Sequence, residues 1–354
     1  MGRPLFLIFS VIAGYALSFH PMKAQQKKIV NNPYEGVNFV ANHYKANFHA
    51  HTTNSDGAEA PEVVVQAYHA DGYRILASTD HNHVTWPWID FGIDARELEM
   101  LPVPGNELSR HHHNLSLFNL YPFPERERST RNLRTSLQEV TENGGINILA
   151  HPGRYWEPHE EEVPEDVASD YIEHFTEFEF LIGMEVYNQE DRYPWDRKLW
   201  DALLEEMMPD RPIWGFANDD SHELKHIGLN QNRFPLNELT ESAVRKAMIE
   251  GRFYFSSVTT HPGNLRDSDE VPKLTRVHYD KKNNKLTLEA ESNGAALEGS
   301  RFSWFSNKGK KIASGKTIDL DKTEGLTTYL RAEIRGDGGT TYTQPFGLTE
   351  KAGK

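Results

Sequence analysis

Two histidines close an apolar run in the segment Phe48-His49-Ala50-His51-Thr52. Their i, i+2 spacing puts both imidazoles on one side of an extended chain. Such a pair can hold a divalent ion, but alone it is a weak signal. Asp56 follows in the turn Ser55-Asp56-Gly57, where Asp-Gly is also ordinary turn chemistry. The pattern then recurs. Asp80-His81 follows Ile75–Ser78, Gly105-Asn106-Glu107 follows Val103, and His113 opens Leu115–Leu117. His151 follows Ile146–Ala150, and Asp220-Ser221-His222 follows Ile213–Ala217. Any one of these could arise by chance; together they form a set. Imidazoles and carboxylates converging on one face suit zinc, manganese or iron. Divalent ions there lower the pKa of bound water and can clamp both oxygens of an in-line displacement at phosphorus. The chemistry indicated is phosphoester hydrolysis by a metal-bound hydroxide, with no covalent enzyme intermediate. The chain carries no nucleophile elbow, P-loop or dinucleotide fingerprint.

Residues so far apart in sequence need a scaffold that gathers strand ends. From about 43 to 260, short apolar runs alternate with helical patterns. Helices are expected at Ala60–Ala70, Thr130–Glu142, Arg197–Met208 and Thr240–Glu250, with Gly72, Gly144-Gly145, Pro209 and Gly251 as stops. Strand–helix alternation of this kind predicts an α/β fold with a parallel sheet or barrel, whose C-terminal strand ends share one face. From Lys273 the pattern changes to strand, turn, strand. Asn283-Asn284, Asn307-Lys308-Gly309 and Gly336-Asp337-Gly338-Gly339 separate strand pairs. A small antiparallel sandwich of immunoglobulin-like size is expected there. The boundaries read as an N-terminal segment over 25–42, the metal-dependent unit over 43–260, a linker over 261–272 and the sandwich over 273–354. Glu157 to Asp166 reads as a solvated acidic loop.

The ordered set HxH, Asp, TDH, GNE, His-x-Leu-x-Leu, AHP and DxH resembles the polymerase and histidinol phosphatase (PHP) superfamily over about residues 43–260. Gly183–Asn188 and the run from Glu250 also look like segments of that family. The resemblance implies a distorted (β/α)7 TIM-like barrel and a cluster of two or three divalent ions (Zn, Mn or Fe). It implies that His49, His51, Glu107 and Asp220 hold a first metal. Glu107 would bridge to a second, held by His113 and His151, and Asp56, His81 and His222 would hold a third. His113 competes with His111 and His112, and Asp220 with Asp219. The family spacings select His113 and Asp220. Arg154, just after the AHPG segment, is a candidate contact for substrate phosphate, ahead of Arg110 and Lys225. Glu185 and Asn188 are candidates for orienting ligands. The enzyme alternative is an amidohydrolase, which also begins with HxH but takes a bridging modified lysine; no lysine sits at such a strand end. A non-catalytic, metal-stabilised binding protein is the alternative from another class.

The 354 residues carry a net charge of −14 and no cysteine. Disulfides and thiolate ligands are therefore excluded. A broad electrostatic grip on nucleic acid is disfavoured, so the expected partner is a small phosphorylated substrate. Arg3, the fifteen-residue run Leu5–Phe19 and Ala24 have the layout of a signal peptide over 1–24. The run is shorter than the roughly 20 residues that span a bilayer. Cleavage, no retained membrane anchor and a periplasmic or secreted location are expected. Nothing in the sequence indicates an oligomeric state.

Overall fold

The computed structural model describes residues 26–109, 112–120, 132–156, 162–261, 266 and 269–351. The signal-peptide segment, Arg110, His111 and the start of the acidic run at 157–161 lie outside the described residues. The chain begins with β1 (Lys27–Asn31), β2 (Asn42–Asn47), α1 (Pro61–Ala70), β3 (Tyr73–Leu76), β4 (Leu101–Pro102), β5 (Gly105–Leu108) and β6 (Asn114–Leu117). Next come α2 (Leu133–Glu142), β7 (Ile146–Leu149), α3 (Glu165–Glu177), β8 (Leu181–Asn188), α4 (Asp196–Met207) and β9 (Trp214–Asn218). Then follow β10 (Asn230–Leu236), α5 (Glu241–Glu250), β11 (Tyr254–Val258), β12 (Lys273–Asp280), β13 (Lys285–Ser292) and β14 (Ala295–Ala296). The chain closes with β15 (Phe302–Ser306), β16 (Lys310–Ser314), β17 (Thr317–Asp319), β18 (Tyr329–Arg335), β19 (Gly339–Tyr342) and β20 (Phe346–Glu350).

Helix ends follow local chemistry. Pro61 opens α1, where its missing N–H leaves nothing unsatisfied. Asn132 caps α2 by accepting from the Thr135 N–H, and Thr240 caps α5 through the Ala243 N–H. Gly251 ends α5 at φ 68°, in the left-handed region that favours glycine. The sequence reading missed α3. Its first turn lies in the acidic run, where Glu165 and Asp166 complement the helix N-terminus. Its buried side is Tyr171, His174 and Phe175.

The architecture is mixed α/β, and here the expected barrel is corrected. Among the described residues no sheet closes on itself. Strands β5-β6-β7-β8-β9 form a five-stranded sheet, and β2-β3-β4 belong to an eleven-stranded one. β6 pairs antiparallel with both β5 and β7, and β10 runs antiparallel to β2 and β11. The ladder also breaks between β4 and β5. Pro102 and Pro104 bring no N–H to that stretch. Two isolated parallel bridges, Ala50–Ser221 and His81–Glu107, join the sheets instead.

The predicted hairpins at Asn283-Asn284 and Asn307–Gly309 appear as β12/β13 and β15/β16. The β12-β13-β14 sheet, with β17, packs across a core of Leu274, Leu288, Trp304, Ile334 and Phe346. The opposing sheet continues into the N-terminal unit, because β19 pairs with β11. Phe255, Tyr329 and Tyr342 share one core with Leu199, Trp200 and Leu203 of α4.

Candidate metal centre

The chain just past β2 is fixed by packing. Phe48 meets Phe216 and Phe234 edge-on, with ring centroids 6.2 and 5.8 Å apart. Its neighbours His49 and His51 emerge on the opposite side of the chain, and the His51 N–H donates to the Ser221 carbonyl at 2.9 Å. This tie sets His51 beside Asp220 and His222. The turn after it is compact. A side chain at Gly57 would meet the His51 carbonyl oxygen at 2.6 Å, so only glycine lets Asp56 fold back over the histidines. Asp80 anchors that turn by accepting from the Thr52 N–H, the Thr52 hydroxyl, Ser55 and Thr85 at 2.5–2.8 Å. Two candidate ligands hold left-handed backbone, His151 at φ 30° and Asp220 at φ 44°. Strain of this kind is found where a site over-determines its residues.

At the centre is Glu107, fully buried, with both oxygens among imidazoles. Its Oε1 lies 2.7 Å from His113 Nδ1, 3.1 Å from His151 Nε2 and 3.4 Å from His49 Nε2. Its Oε2 lies 2.8 Å from His81 Nδ1 and 3.4 Å from His51 Nε2. Asp220 Oδ1 is 3.2 Å from His49 Nε2 and 3.1 Å from His51 Nε2. Asp56 sits at the open edge, 3.4 Å from His81 Nε2, 3.4 Å from His222 Nε2 and 3.6 Å from His51 Nδ1.

All nine proposed ligands therefore meet. The groups close enough to share an ion are His49-His51-Asp220, His49-Glu107-His151, His81-Glu107-His113 and His51-Asp56-His81-His222. They divide the ligands differently from the three sets implied by the family resemblance. His51 and His81 each face two groups, and His113 and His151 meet Glu107 in separate ones.

The donor atoms fit divalent ions. Two donors about 2.1 Å from one tetrahedral ion stand roughly 3.4 Å apart, and the longer contacts here, 3.1–3.4 Å, have that spacing. His49 Nε2, His51 Nε2, His81 Nδ1 and Glu107 Oε2 are buried without hydrogen-bond partners. Buried polar atoms are rarely left so. Glu185 Oε1 lies 2.8 Å from His49 Nδ1, which places the proton on that nitrogen and frees the Nε2 lone pair. Glu185 also accepts from the His151 N–H, Asn188 and Asn218, each at 2.9 Å.

Against burial, Asp220, Glu185 and Glu107 raise His49 well above its ordinary value, and Glu107 and Asp56 raise His81. Burial alone would raise the Glu107 and Asp220 carboxyls. His49, with His113 and His151 at Glu107 and His51 at Asp220, outweighs burial and holds both well below the usual range. Burial lowers His51 and His113, so neutral, ligand-competent imidazoles are favoured there.

The competing residues point elsewhere. His112 Nε2 is 2.6 Å from the Tyr171 hydroxyl. Asp219 accepts from the Gly228 and Asn230 N–H groups at 2.9 and 2.7 Å. Arg154 is the exposed end of the otherwise buried turn directly after His151, and its charge adds to the lowering of His113 by burial. Lys225 pairs with Glu223 at 2.9 Å, on the surface. Tyr155 was not anticipated. Its hydroxyl accepts from the His113 N–H at 2.9 Å and its ring stacks on His112 at 4.1 Å. A lone tyrosine beyond AHPG gives no signal in sequence.

No family model and no curated protein matches the chain. Among solved structures it is similar to a two-domain protein from Bacteroides vulgatus containing a predicted PHP-like metal-dependent phosphoesterase. Identity is 16% and the TM-score 0.49, over 90% of this chain and 98% of that one. It is also similar to an amidohydrolase from Chromobacterium violaceum with bound sulfate and no metal, at 15% identity and TM-score 0.39, over 59% and 96%. A third is the lesion-specific endonuclease of Pyrococcus furiosus, at 14% identity and TM-score 0.39, over 58% and 56%.

Proposed function

We propose that this chain is a metal-dependent phosphoesterase of the PHP type, exported and cleaved, acting on a small phosphomonoester or phosphodiester. The observation that carries this reading is the placement of Glu107. A buried carboxylate with imidazoles on each oxygen is built to bridge two cations. Divalent ions, when bound, would activate water and polarise the phosphoryl group. The protein's own part is positioning. Glu107 and Asp220 supply negative charge between the imidazoles, and Glu185 holds the proton on His49 Nδ1. Asp80 fixes the turn that carries Asp56. Asp56, His81 and His222 are partly exposed, so a substrate would enter at that edge. Arg154, beside His151, would offer a guanidinium to phosphate oxygens. Zinc, manganese and iron all suit this nitrogen and oxygen donor set. The apolar run Leu5–Phe19 supports export.

The test is a hydrolysis screen of phosphomonoesters, phosphodiesters and simple amides with manganese or zinc. Phosphate release that chelation abolishes is the expected result. Amide cleavage without phosphoester turnover would overturn the reading.

A further inference from the structure

Beside the loop that presents Asp220 lies a cavity of about 360 Å3. That is near the lower end of the ~300–1,000 Å3 range of small-molecule sites. Three segments wall it: Gln189 and Glu190 after β8, Leu229 and Asn230 at the start of β10, and Ser257 and Val258 at the end of β11. Asn230 and Ser257 are register partners. β10 runs antiparallel to β2 and β11, so its start and the end of β11 lie where β2 delivers His49 and His51. The cavity and the candidate ligands share one face of the molecule.

Its wall is tied to the metal-facing loop. Gln189 Nε2 donates to the Asp220 carbonyl at 2.9 Å. Asn230 Nδ2 donates to the carbonyls of Gln189 and Asn218 at 2.8 and 2.9 Å. Main-chain carbonyls only accept, so they fix which end of each amide faces them. Gln189 Oε1 and Ser257 Oγ, on partly exposed residues, have no hydrogen-bond partner among the described residues. The amide oxygen is a pure acceptor, and the hydroxyl serves either way. Glu190 adds an exposed carboxylate, while neighbouring Asp191 is matched by Arg197 at 2.5 and 3.0 Å. Leu229 and Val258 contribute apolar surface. Gln189 and Asp191 hold left-handed backbone at φ 47° and 63°, which is costly away from glycine.

Acceptors around a small apolar floor suit a group with hydroxyl donors and C–H faces. The same acceptors and the Glu190 charge oppose a second phosphate. We propose that this cavity holds the alcohol portion of the phosphoester, and that this portion is neutral and hydroxyl-rich, a sugar or polyol. The assignment rests on the phosphoesterase reading above.

Two readouts test it on the full chain. The first compares kcat/KM for glucose 1-phosphate, fructose 1,6-bisphosphate and p-nitrophenyl phosphate, with manganese or zinc. Glucose 1-phosphate is expected to be preferred. Ser257→Ala should lower its kcat/KM relative to p-nitrophenyl phosphate by about tenfold, mainly through KM. Glu190→Lys should move the preference toward the bisphosphate. The second readout is calorimetric binding of glucose and inositol, which needs no turnover and should weaken in Ser257→Ala. If phosphoesters are cleaved but neither variant changes the ratios, the subsite is wrong and the activity stands. If no phosphoester is cleaved, the functional reading fails. Binding of glucose or inositol that Ser257→Ala weakens would then still support the cavity, and its absence would overturn it.

Discussion

Glu107 concentrates the chemistry in one side chain, since both of its oxygens serve separate imidazole groups. Glu107→Gln keeps the shape and removes the bridging charge. It should lose bound metal and lower activity by at least about a hundredfold, measured by metal analysis beside phosphate release. Glu185→Gln acts one step out, on His49 Nδ1. It should weaken metal affinity by about 10–100-fold, read by chelator competition. His43 is a separate matter, away from the cluster. Burial lowers it from 6.5 to about 4, helped by nearby Lys273 and Arg233 and opposed by the Phe39 carbonyl. Between those values the unfolded chain takes up a proton that the folded chain refuses. Stability is therefore lost as pH falls through that window. The urea midpoint should drop less between pH 7 and pH 4.5 in His43→Phe than in the parent chain; equal drops would refute the assignment. Most of the candidate ligands were legible in sequence because they stand just after an apolar run, while His113 precedes one and Asp56 lies in a turn. Tyr155 and the four donors on Asp80 were not, because hydrogen bonds between distant segments leave no periodicity.

Turns, more than strands, deliver the candidate ligands. Asp56 depends on Gly57, His151 on a left-handed turn after β7, and Asp220 on one after β9. Gly57→Ala should displace Asp56 and weaken the ion shared by His81 and His222, while the buried ligands around Glu107 keep theirs. Metal titration should then show one weakened site; unchanged stoichiometry and affinity would count against that role. The helices with strong stops were readable to within a few residues. α3 was hidden because its first turn is acidic and mimics a solvated loop. The barrel expectation failed for a specific reason. Alternation of strands and helices reports a sheet but not strand direction, and the antiparallel β5-β6-β7 run looks the same in sequence as a parallel one.

The two ends of the molecule are joined more firmly than a hinge between domains would be. Besides the β11–β19 pairing, Arg331 on β18 forms two hydrogen bonds of 2.7 Å to Asp201 on α4, and both are buried. Gln344 closes two further bonds, 2.9 and 2.8 Å, on the backbone of Gly215 in β9. Arg331→Leu would leave Asp201 buried with no opposite charge, although the Tyr329 hydroxyl would still donate to it. It should cost about 3–5 kcal/mol in urea unfolding, whereas a loss below ~1 kcal/mol would show the contact to be incidental. The hairpins of this end were legible from their turns; its continuity with the N-terminal unit was not, because that pairing joins strands some eighty residues apart. The net charge of −14 describes the surface. Divalent ions at Glu107 would invert its local sign and so admit a phosphate that the sum alone would repel. The most direct test is therefore the metal content of the purified full chain, by plasma mass spectrometry. About two or three zinc, manganese or iron ions per chain are expected, falling sharply in Glu107→Gln. A folded protein that carries no such ion, and takes none up on dialysis against zinc or manganese, would contradict the account.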